Sequence, residues 1–282
     1  MKVITHIEAL REYLNSVRKN DKSVGFVPTM GALHEGHLTV VRKSVKKNDL
    51  TVCSIYVNPA QFNDPGDLEK YPRSLQSDCL MLEEAGCNVV FAPDTSEVYP
   101  GKTVTSLSFG YLEDVLEGKF RPGHFKGVGL IVSKLFHMVQ PHRAYFGQKD
   151  YQQFAIIQKL TRDLDFPVEL VRVPIVREED GLAMSSRNMR LSSAERAVAP
   201  VFYEALKKAE KMLLENADVA AVQQAICDMI RQKEGAALEY FAIADPETLM
   251  PVSNETVGSQ VVLCVAGYVG NIRLIDNLIV SL

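Results

Sequence analysis

Length, composition and charge set broad limits on the class of protein. The chain has 282 residues, 46% of them hydrophobic and 23% charged, which is typical of a globular protein with an ample core. Its formal net charge of −4, with basic residues scattered along the chain, gives no electrostatic reason to expect a nucleic-acid partner. Because the chain has no apolar stretch of membrane-spanning length and no signal-peptide pattern, we expect a cytoplasmic protein without a membrane partner.

The first 175 or so residues alternate between strand-like and helix-like patterns. Nearly all-apolar runs predict strands at 24–27, 50–57, 89–92, 103–109, 144–146 and 168–176. Helical spacing of apolar residues predicts helices at 38–47, 75–85, 125–139 and 151–164. Strands without a polar face need helices on both sides of their sheet. The alternation therefore predicts an α/β domain with a doubly wound, Rossmann-like parallel sheet.

A different pattern begins after about residue 177. Ser192 and Glu195 have the spacing of a capping box, which predicts a long helical stretch from there through residue 214. A second predicted helix runs from 219 to about 234, and strand-like runs follow at 238–244, 261–269 and 271–280. Helices followed by strands predict a smaller C-terminal α+β domain, so we expect domains at 1–177 and 178–282.

The segment PTMGALHEGH (28–37) lies between the predicted strand at 24–27 and the predicted helix at 38–47. A doubly wound sheet binds its ligand at such a point, where the helix N-terminus favours anions. Gly31 and Gly36 allow close approach of the backbone to a phosphate, and the rings of His34 and His37 offer N–H donors. Two alternatives stay open here. One is a purely structural turn, and the other is a zinc site, although the H-E-x-x-H spacing of metalloproteases is missed by one residue.

Two further loops are suited to binding phosphate. The segment YFGQKDYQQF (145–154) follows a strand and offers Gly147, Lys149, Asp150, Gln152 and Gln153. The segment GLAMSSRNMRLS (181–192) places Ser185, Ser186 and Arg187 together before a helix. Each has a structural alternative, a solvated corner with a helix cap for the first and a cap-rich linker for the second. Three such loops on one α/β scaffold favour a phosphate-binding function.

These segments together resemble one known family. Residues 28–37, 146–153 and 184–188, with YVNPAQF (56–62) and RPGHFKGV (121–128), closely resemble the pantothenate synthetases, which are pantoate–β-alanine ligases. His34-Glu35-Gly36-His37 is similar to the H-x-G-H motif of the nucleotidylyltransferase superfamily. Met184-Ser185-Ser186-Arg187 resembles that superfamily's second, mobile phosphate loop, with Arg where Lys is common.

The resemblance implies an activity and its site residues. ATP and (R)-pantoate would give pantoyl adenylate and pyrophosphate, and the amine of β-alanine would then attack the adenylate, giving pantothenate and AMP. Magnesium would accompany ATP, and the protein would be a cytoplasmic homodimer. The residues implied to bind ATP are Met30, Gly31, Ala32, Leu33, His34, Glu35, Gly36, His37, Gly147, Gln148, Lys149, Asp150, Val176, Met184, Ser185, Ser186 and Arg187. Gln61 and Gln153 would bind pantoate, and Gln61 would also lie near β-alanine.

Chemical reasoning narrows the roles of these residues. Pantoate's carboxylate is ionised at neutral pH, so adenylation needs alignment and charge neutralisation rather than a general base. We therefore expect His34, His37 and Lys149 to act on the phosphates, with His37 mainly a hydrogen-bond donor. A plain nucleotidylyltransferase and a non-catalytic ATP-binding module are the alternatives. Asp78 is predicted to be either a Mg²⁺ ligand or part of a solvated helix face, and His124 either lines the site or is exposed.

Overall fold

Six parallel strands form one sheet in this computed structural model, which describes residues 1–63 and 65–282. They are β1 (Lys2–Ile4), β2 (Val24–Thr29), β3 (Leu50–Ile55), β4 (Val89–Phe91), β5 (Arg143–Gly147) and β6 (Glu169–Val173). Their order across the sheet is β1-β4-β3-β2-β5-β6, and each pairing is parallel. This arrangement confirms the predicted doubly wound sheet.

Helices cover both faces of this sheet, because the strands are apolar on both. Successive side chains of a strand point to opposite faces of the sheet. Phe26 and Phe146 therefore belong to one core, and their neighbours Val27 and Tyr145 belong to another. The helices of this half are α1 (Ile7–Arg18), α2 (Glu35–Val45), α3 (Pro65–Lys70), α4 (Leu75–Glu84), α5 (Thr95–Val98), α6 (Glu117–Phe120), α7 (His124–Val139) and α8 (Tyr151–Asp163). Buried side chains of α1, α7 and α8 lie in the first core and those of α2 and α4 in the second.

The C-terminal part contains an antiparallel sheet with helices packed against it. Three helices, α9 (Ser193–Val198), α10 (Val201–Leu214) and α11 (Val219–Arg231), precede three strands, β7 (Ala236–Ala244), β8 (Gln260–Val269) and β9 (Ile272–Ser281). The strands pair in the order β7-β8-β9. Their core contains Leu206 and Ile226 from the helices and Leu263 from β8. The predicted smaller α+β fold is confirmed.

The chain divides into two compact units, each of which draws on two stretches of sequence. The first comprises Met1–Gly147 and Gln153–Pro174, and the second comprises Gln148–Gln152 and Ile175–Leu282. Lys149 therefore belongs to the second unit, although it lies only two residues beyond the end of β5. Gln153 belongs to the first.

The predicted strand at 103–109 is wrong. These described residues form no strand, and most of them are exposed, with Val104 90% exposed. Only Leu107 and Phe109 are partly buried and pack against the first core. The β-branched residues of this segment have strand propensity, but a strand also requires a neighbour that completes its backbone hydrogen bonds.

The structure also corrects the predicted helix from 192 to 214. Ser192 and Glu195 form the predicted capping box, but α9 ends at Val198 and α10 begins at Val201. Pro200 lies at the junction and has no backbone N–H with which to continue the hydrogen-bond ladder of α9. The sequence analysis also did not predict β1, whose three residues give almost no periodicity, or α1, although its buried residues Leu10, Leu14 and Val17 have helical spacing.

The five cysteines, whose irregular spacing predicts reduced thiols, are all free. Cys53, Cys87 and Cys264 are buried. Burial raises the pKa of Cys87 to about 11, so this thiol stays protonated at neutral pH. Across the described residues, each helix is too short or too polar to span a bilayer.

Candidate active site

The segment after β2 is held in an unusual backbone conformation by a carboxylate from α4. Gly31 has a φ of +79°, and Ala32, which is not a glycine, has a φ of +51°. The backbone N–H groups of Ala32 and Leu33 donate to the two carboxylate oxygens of Asp78, at 3.0 and 2.9 Å. A left-handed alanine costs about 1–3 kcal/mol and persists only where its surroundings enforce it, often at functional sites.

Burial contradicts one of the two predictions made for Asp78. It has no exposed surface, so it does not belong to a solvated helix face. Both carboxylate oxygens accept backbone N–H groups and are committed to the loop. Within the described residues there is no group of three or more His, Cys, Asp or Glu side chains that could hold a metal ion. Asp78 instead fixes the shape of the loop.

His34 and His37 lie together at the start of α2, with ring centroids 4.1 Å apart. His34 is the N-cap residue, and its Nδ1 accepts the backbone N–H of Gly36 at 3.2 Å. Nδ1 of His37 accepts the N–H of His34 in a long contact of 3.4 Å. A neutral ring that accepts at Nδ1 carries its proton at Nε2, and an Nε2–H is a donor suited to a phosphate oxygen.

Gln61 is buried and oriented by a neighbouring amide. Its Oε1 accepts from Nδ2 of Asn58 at 3.2 Å, which turns its Nε2 toward Sδ of Met30 at 3.0 Å. Asn58 is in turn held by the hydroxyl of Tyr99, which donates to its Oδ1 at 2.8 Å. Burial raises the pKa of Tyr99, so its hydroxyl remains a donor. Two residues predicted to share the site, Met30 and Gln61, are therefore in contact.

His124 also lies against Gln61, and it is not exposed. Only 5% of its surface is accessible, and its Nδ1 is 2.9 Å from the backbone oxygen of Gln61. One turn along α7, a Cβ on Gly127 would come 2.1 Å from the backbone oxygen of Ala60. The start of α7 and the 3₁₀ helix Pro59–Gln61 are thus packed backbone to backbone. The prediction of an exposed His124 is wrong.

The point where the strand order reverses lies between β2 and β5. These neighbours pair in parallel, and the chain continues from β2 to β3 on one side and returns to β5 on the other. Ligands of doubly wound proteins bind at the carboxyl ends of such strands. Gly147 ends β5, and a Cβ there would meet no heavy atom of the described residues within 4 Å. Packing therefore does not explain why this position is a glycine.

In the second unit, basic side chains line a small pocket. Its walls include Lys149, Ser185 and Arg187, together with Arg273 from β9 and no carboxylate from the described residues. Ser185 caps the 3₁₀ helix Ser186–Arg190, and its Oγ accepts the N–H of Arg187 at 3.2 Å. The guanidinium of Arg273 already donates to Glu239, with its Nε 3.0 Å from Oε2, so Lys149 and Arg187 are the basic residues of this lining that suit an anionic ligand.

The predicted residues thus fall into two groups, one in each unit. The first unit holds Met30, Gly31, Ala32, Leu33, His34, Glu35, Gly36, His37, Gln61, Gly147 and Gln153. The second holds Gln148, Lys149, Asp150, Val176, Met184, Ser185, Ser186 and Arg187. In the second, the backbone N–H of Met184 donates to the oxygen of Val176 at 2.9 Å. Sequence reasoning missed the residues that support these groups, because their partners lie far along the chain.

A doubly wound sheet with polar segments after both strands of its switch point defines a nucleotide-binding α/β protein. The model of one family, described as pantoate-beta-alanine ligase, matches residues 2–279. The chain belongs to the pantoate–β-alanine ligase family.

Relatives and solved structures agree with this membership over the whole chain. The pantothenate synthetase of Bacteroides fragilis is 49% identical over 278 residues, covering 99% of this chain and 98% of its own. The crystal structure of pantothenate synthetase from Thermus thermophilus has a TM-score of 0.92 at 44% identity and covers 99% of both chains. A pantoate-beta-alanine ligase from Francisella tularensis, in complex with beta-gamma ATP and beta-alanine, has a TM-score of 0.81 at 33% identity and covers 99% of this chain and 97% of that one.

Proposed function

We propose that this chain catalyses the ATP-dependent condensation of (R)-pantoate with β-alanine to give pantothenate, AMP and pyrophosphate. The family match over residues 2–279 carries this proposal. The relative from Francisella tularensis, whose structure is a complex with beta-gamma ATP and beta-alanine, supports the choice of two of the substrates.

We further propose that the reaction passes through pantoyl adenylate. A carboxylate oxygen of pantoate attacks the α-phosphorus of ATP, the bond to the bridging oxygen breaks, and pyrophosphate leaves with that electron pair. The amine of β-alanine then attacks the acyl carbon, AMP leaves, and the amine loses a proton to give the amide. The first step needs in-line alignment and stabilisation of charge on the phosphates, and no general base.

The histidine pair is proposed to bind phosphate oxygens through hydrogen bonds. Both Nδ1 atoms accept backbone N–H groups, and the proposed donors are the Nε2–H groups of His34 and His37 at the positive end of α2. Because pantoate needs no deprotonation, His37 is not required as a base, and its main proposed role in the adenylation step is a hydrogen bond to phosphate. The other proposed ATP-binding residues of the first unit are Met30, Gly31, Ala32, Leu33, Glu35, Gly36 and Gly147.

The basic pocket of the second unit is proposed to bind phosphate groups of ATP. Its lining includes Lys149, Ser185 and Arg187, and it includes no Asp or Glu of the described residues. A preorganised cation of this kind stabilises charge that builds on the α-phosphate and on departing pyrophosphate. The other proposed ATP-binding residues of this unit are Gln148, Asp150, Val176, Met184 and Ser186.

Gln61 and Gln153 are proposed to bind pantoate. An amide offers donors and acceptors, which suits the hydroxyls and the carboxylate of pantoate. The contact with Asn58 fixes the orientation of Gln61, whose side chain is proposed to lie near β-alanine as well. Gln153 is half-buried in α8.

Magnesium is proposed to enter with ATP as part of the substrate. The described residues contain no cluster of acidic side chains for a protein cage, and Mg²⁺ commonly binds through phosphates and waters. A cytoplasmic homodimer with domains at 1–177 and 178–282 stays a prediction, as does mobility of the loop at 184–187. Light scattering of the purified protein tests the dimer.

The exchange of labelled pyrophosphate into ATP tests the proposed function. We expect exchange only when pantoate is present, and AMP release only after β-alanine is added. A plain nucleotidylyltransferase would release its adenylate without any effect of β-alanine. A non-catalytic ATP-binding module would bind ATP without exchange. Exchange that proceeds equally well without pantoate would show that the substrate assignment is wrong.

A further inference from the structure

Two adjacent polar residues of β9 lie almost completely buried in the second unit. Asp276 is 6% exposed and Asn277 is 2% exposed. Burying an aspartate and an asparagine costs free energy unless their polar atoms are paired. Asn277 contacts the segment that carries Lys149 of the pocket lining, and Asp276 contacts Arg177, which precedes the lining residues at 182–188.

Asn277 is bonded to the segment that carries Lys149. Its Nδ2 donates to the backbone oxygens of Gln148 and Lys149, at 3.0 and 2.9 Å. Its Oδ1 accepts from Nε2 of Gln148 at 3.3 Å. Both donor hydrogens and the acceptor of this one amide are therefore committed to the same two residues. The backbone position of Lys149 depends directly on Asn277.

Asp276 is bonded to Arg177, which begins the turn at 177–181 that precedes the Ser185–Arg187 segment. Its Oδ2 and Oδ1 accept from the guanidinium of Arg177 at 2.6 and 3.0 Å. Arg177 also donates to the backbone oxygen of Gly181 at 3.0 Å, and it stacks over the ring of Tyr203 at 3.9 Å. This ion pair attaches the turn to β9.

The two attachments form one network. The N–H of Asn277 donates to Oδ1 of Asp276 at 2.7 Å, and Arg177 donates to the backbone oxygen of Asn277 at 3.2 Å. Burial raises the pKa of Asp276, while the positive charges of Arg177 and Lys149 oppose this rise. The charge of Lys149 is thus close enough to affect a residue of the strand that holds its backbone.

We propose that Asp276 and Asn277 are positioning residues that set the spacing between Lys149 and the Ser185–Arg187 segment around the pocket. The inference rests on the function proposed above, in which these groups bind the phosphates of ATP. Stabilising a charged transition state requires donors fixed in place, and a displacement of about 1 Å can cost on the order of 10²-fold in rate. Stability alone does not account for this network, because apolar residues commonly replace a buried ion pair without loss of stability.

The variant Asn277→Ala tests the proposal, because it removes both donors to residues 148–149. We expect the kcat of pantoate-dependent pyrophosphate exchange to fall by about 10- to 100-fold. The conversion of supplied pantoyl adenylate by β-alanine should fall by a smaller factor, since less charge develops on phosphate in that step. Amide hydrogen exchange at residues 148–152 should become faster than in the wild type.

Asn254→Ala is the matched control. Asn254 also joins two segments of the second unit: its Oδ1 accepts the N–H of Val219 at 2.8 Å, and its Nδ2 donates to Asp218. It does not line the pocket. We expect this variant to lose stability while both half-reactions keep wild-type rates.

Each other outcome counts against a particular claim. Equal loss in both half-reactions, or an unchanged exchange rate in Asn277→Ala, would overturn the positioning role. The smaller change Asn277→Ser is the second variant, and loss of the cooperative unfolding transition in both would show that Asn277 serves folding and would also overturn it. Wild-type protein without pantoate-dependent exchange would instead contradict the proposed function itself.

Discussion

The substitution Gly147→Ala should separate stability from function in a single variant. Gly147 is the last residue of β5 and pairs with Val173 of β6. Its φ lies outside the left-handed region, and an added Cβ would have no heavy atom of the described residues within 4 Å. An alanine therefore fits the folded protein without strain.

The two expected effects have opposite signs. In a strand, alanine in place of glycine reduces the backbone entropy of the unfolded chain and stabilises by about 0.5–1 kcal/mol. In the proposed site, the same methyl group occupies space into which the nucleotide fits. Overpacking by one methyl group costs about 1–3 kcal/mol, which is roughly a 5- to 150-fold increase in the KM for ATP.

Urea unfolding and pyrophosphate exchange at varied ATP concentration measure the two effects on the same preparation. Gly101→Ala is the matched control, because Gly101 also lies in the first unit and has equally open space at its Cβ. We expect Gly101→Ala to leave the KM for ATP unchanged. If Gly147→Ala also left it unchanged, Gly147 would not lie against the nucleotide. A loss of stability in Gly147→Ala would contradict the geometry at the end of β5.

Four further predictions follow from individual side chains and segments. Lys149→Ala should fold normally, and its pyrophosphate-exchange rate should fall by about 10²–10³-fold, about 3–4 kcal/mol. Lys208→Ala, which removes an exposed lysine of α10, is the control and should retain the full rate. Equal rates in the two variants would show that Lys149 is only a solvated surface residue. Asp78→Ala should lower the free energy of unfolding by about 3 kcal/mol in urea titration, because two backbone N–H groups lose their acceptor, and a change below about 1 kcal/mol would refute this. Amide exchange at residues 181–190 should slow when a non-hydrolysable ATP analogue binds, and identical exchange in both states would argue against a mobile phosphate loop. The backbone N–H of Ala221 donates to the Asp218 carboxylate and lowers its pKa. The stability that this carboxylate contributes is therefore present above the ordinary aspartate pKa of about 4 and is lost as pH falls through the lowered value. In Asp218→Asn, which keeps an acceptor for the helix N-terminus, the unfolding midpoint should depend less on pH between pH 5 and about pH 2.

The features that sequence alone determined are local or repetitive. Apolar runs and helical spacing predicted the doubly wound sheet, because each strand must bury both faces and each covering helix must bury one. The capping box at Ser192 and the pairing of His34 with His37 involve residues only three positions apart. Helical geometry at an N-terminus brings such residues together whatever the rest of the chain does.

Other features depended on which segments become neighbours. The segment 103–109 has strand propensity, yet it forms no strand among the described residues. The unit to which Lys149 belongs also could not be read from its position two residues beyond β5, since Asn277, 128 residues away, holds its backbone. Periodicity describes one segment at a time and says nothing about such pairings.

The supports of the candidate site were decided by the tertiary structure alone. Asp78 reaches the backbone of Ala32 across 46 residues, and Tyr99 reaches Asn58 across 41. In the sequence, each of these polar side chains has the same appearance as a solvated residue of its own segment. Only the order of strands in the sheet and the packing of α4 and α7 bring them to the loops, and burial then leaves their polar atoms no partner but the backbone or a neighbouring amide.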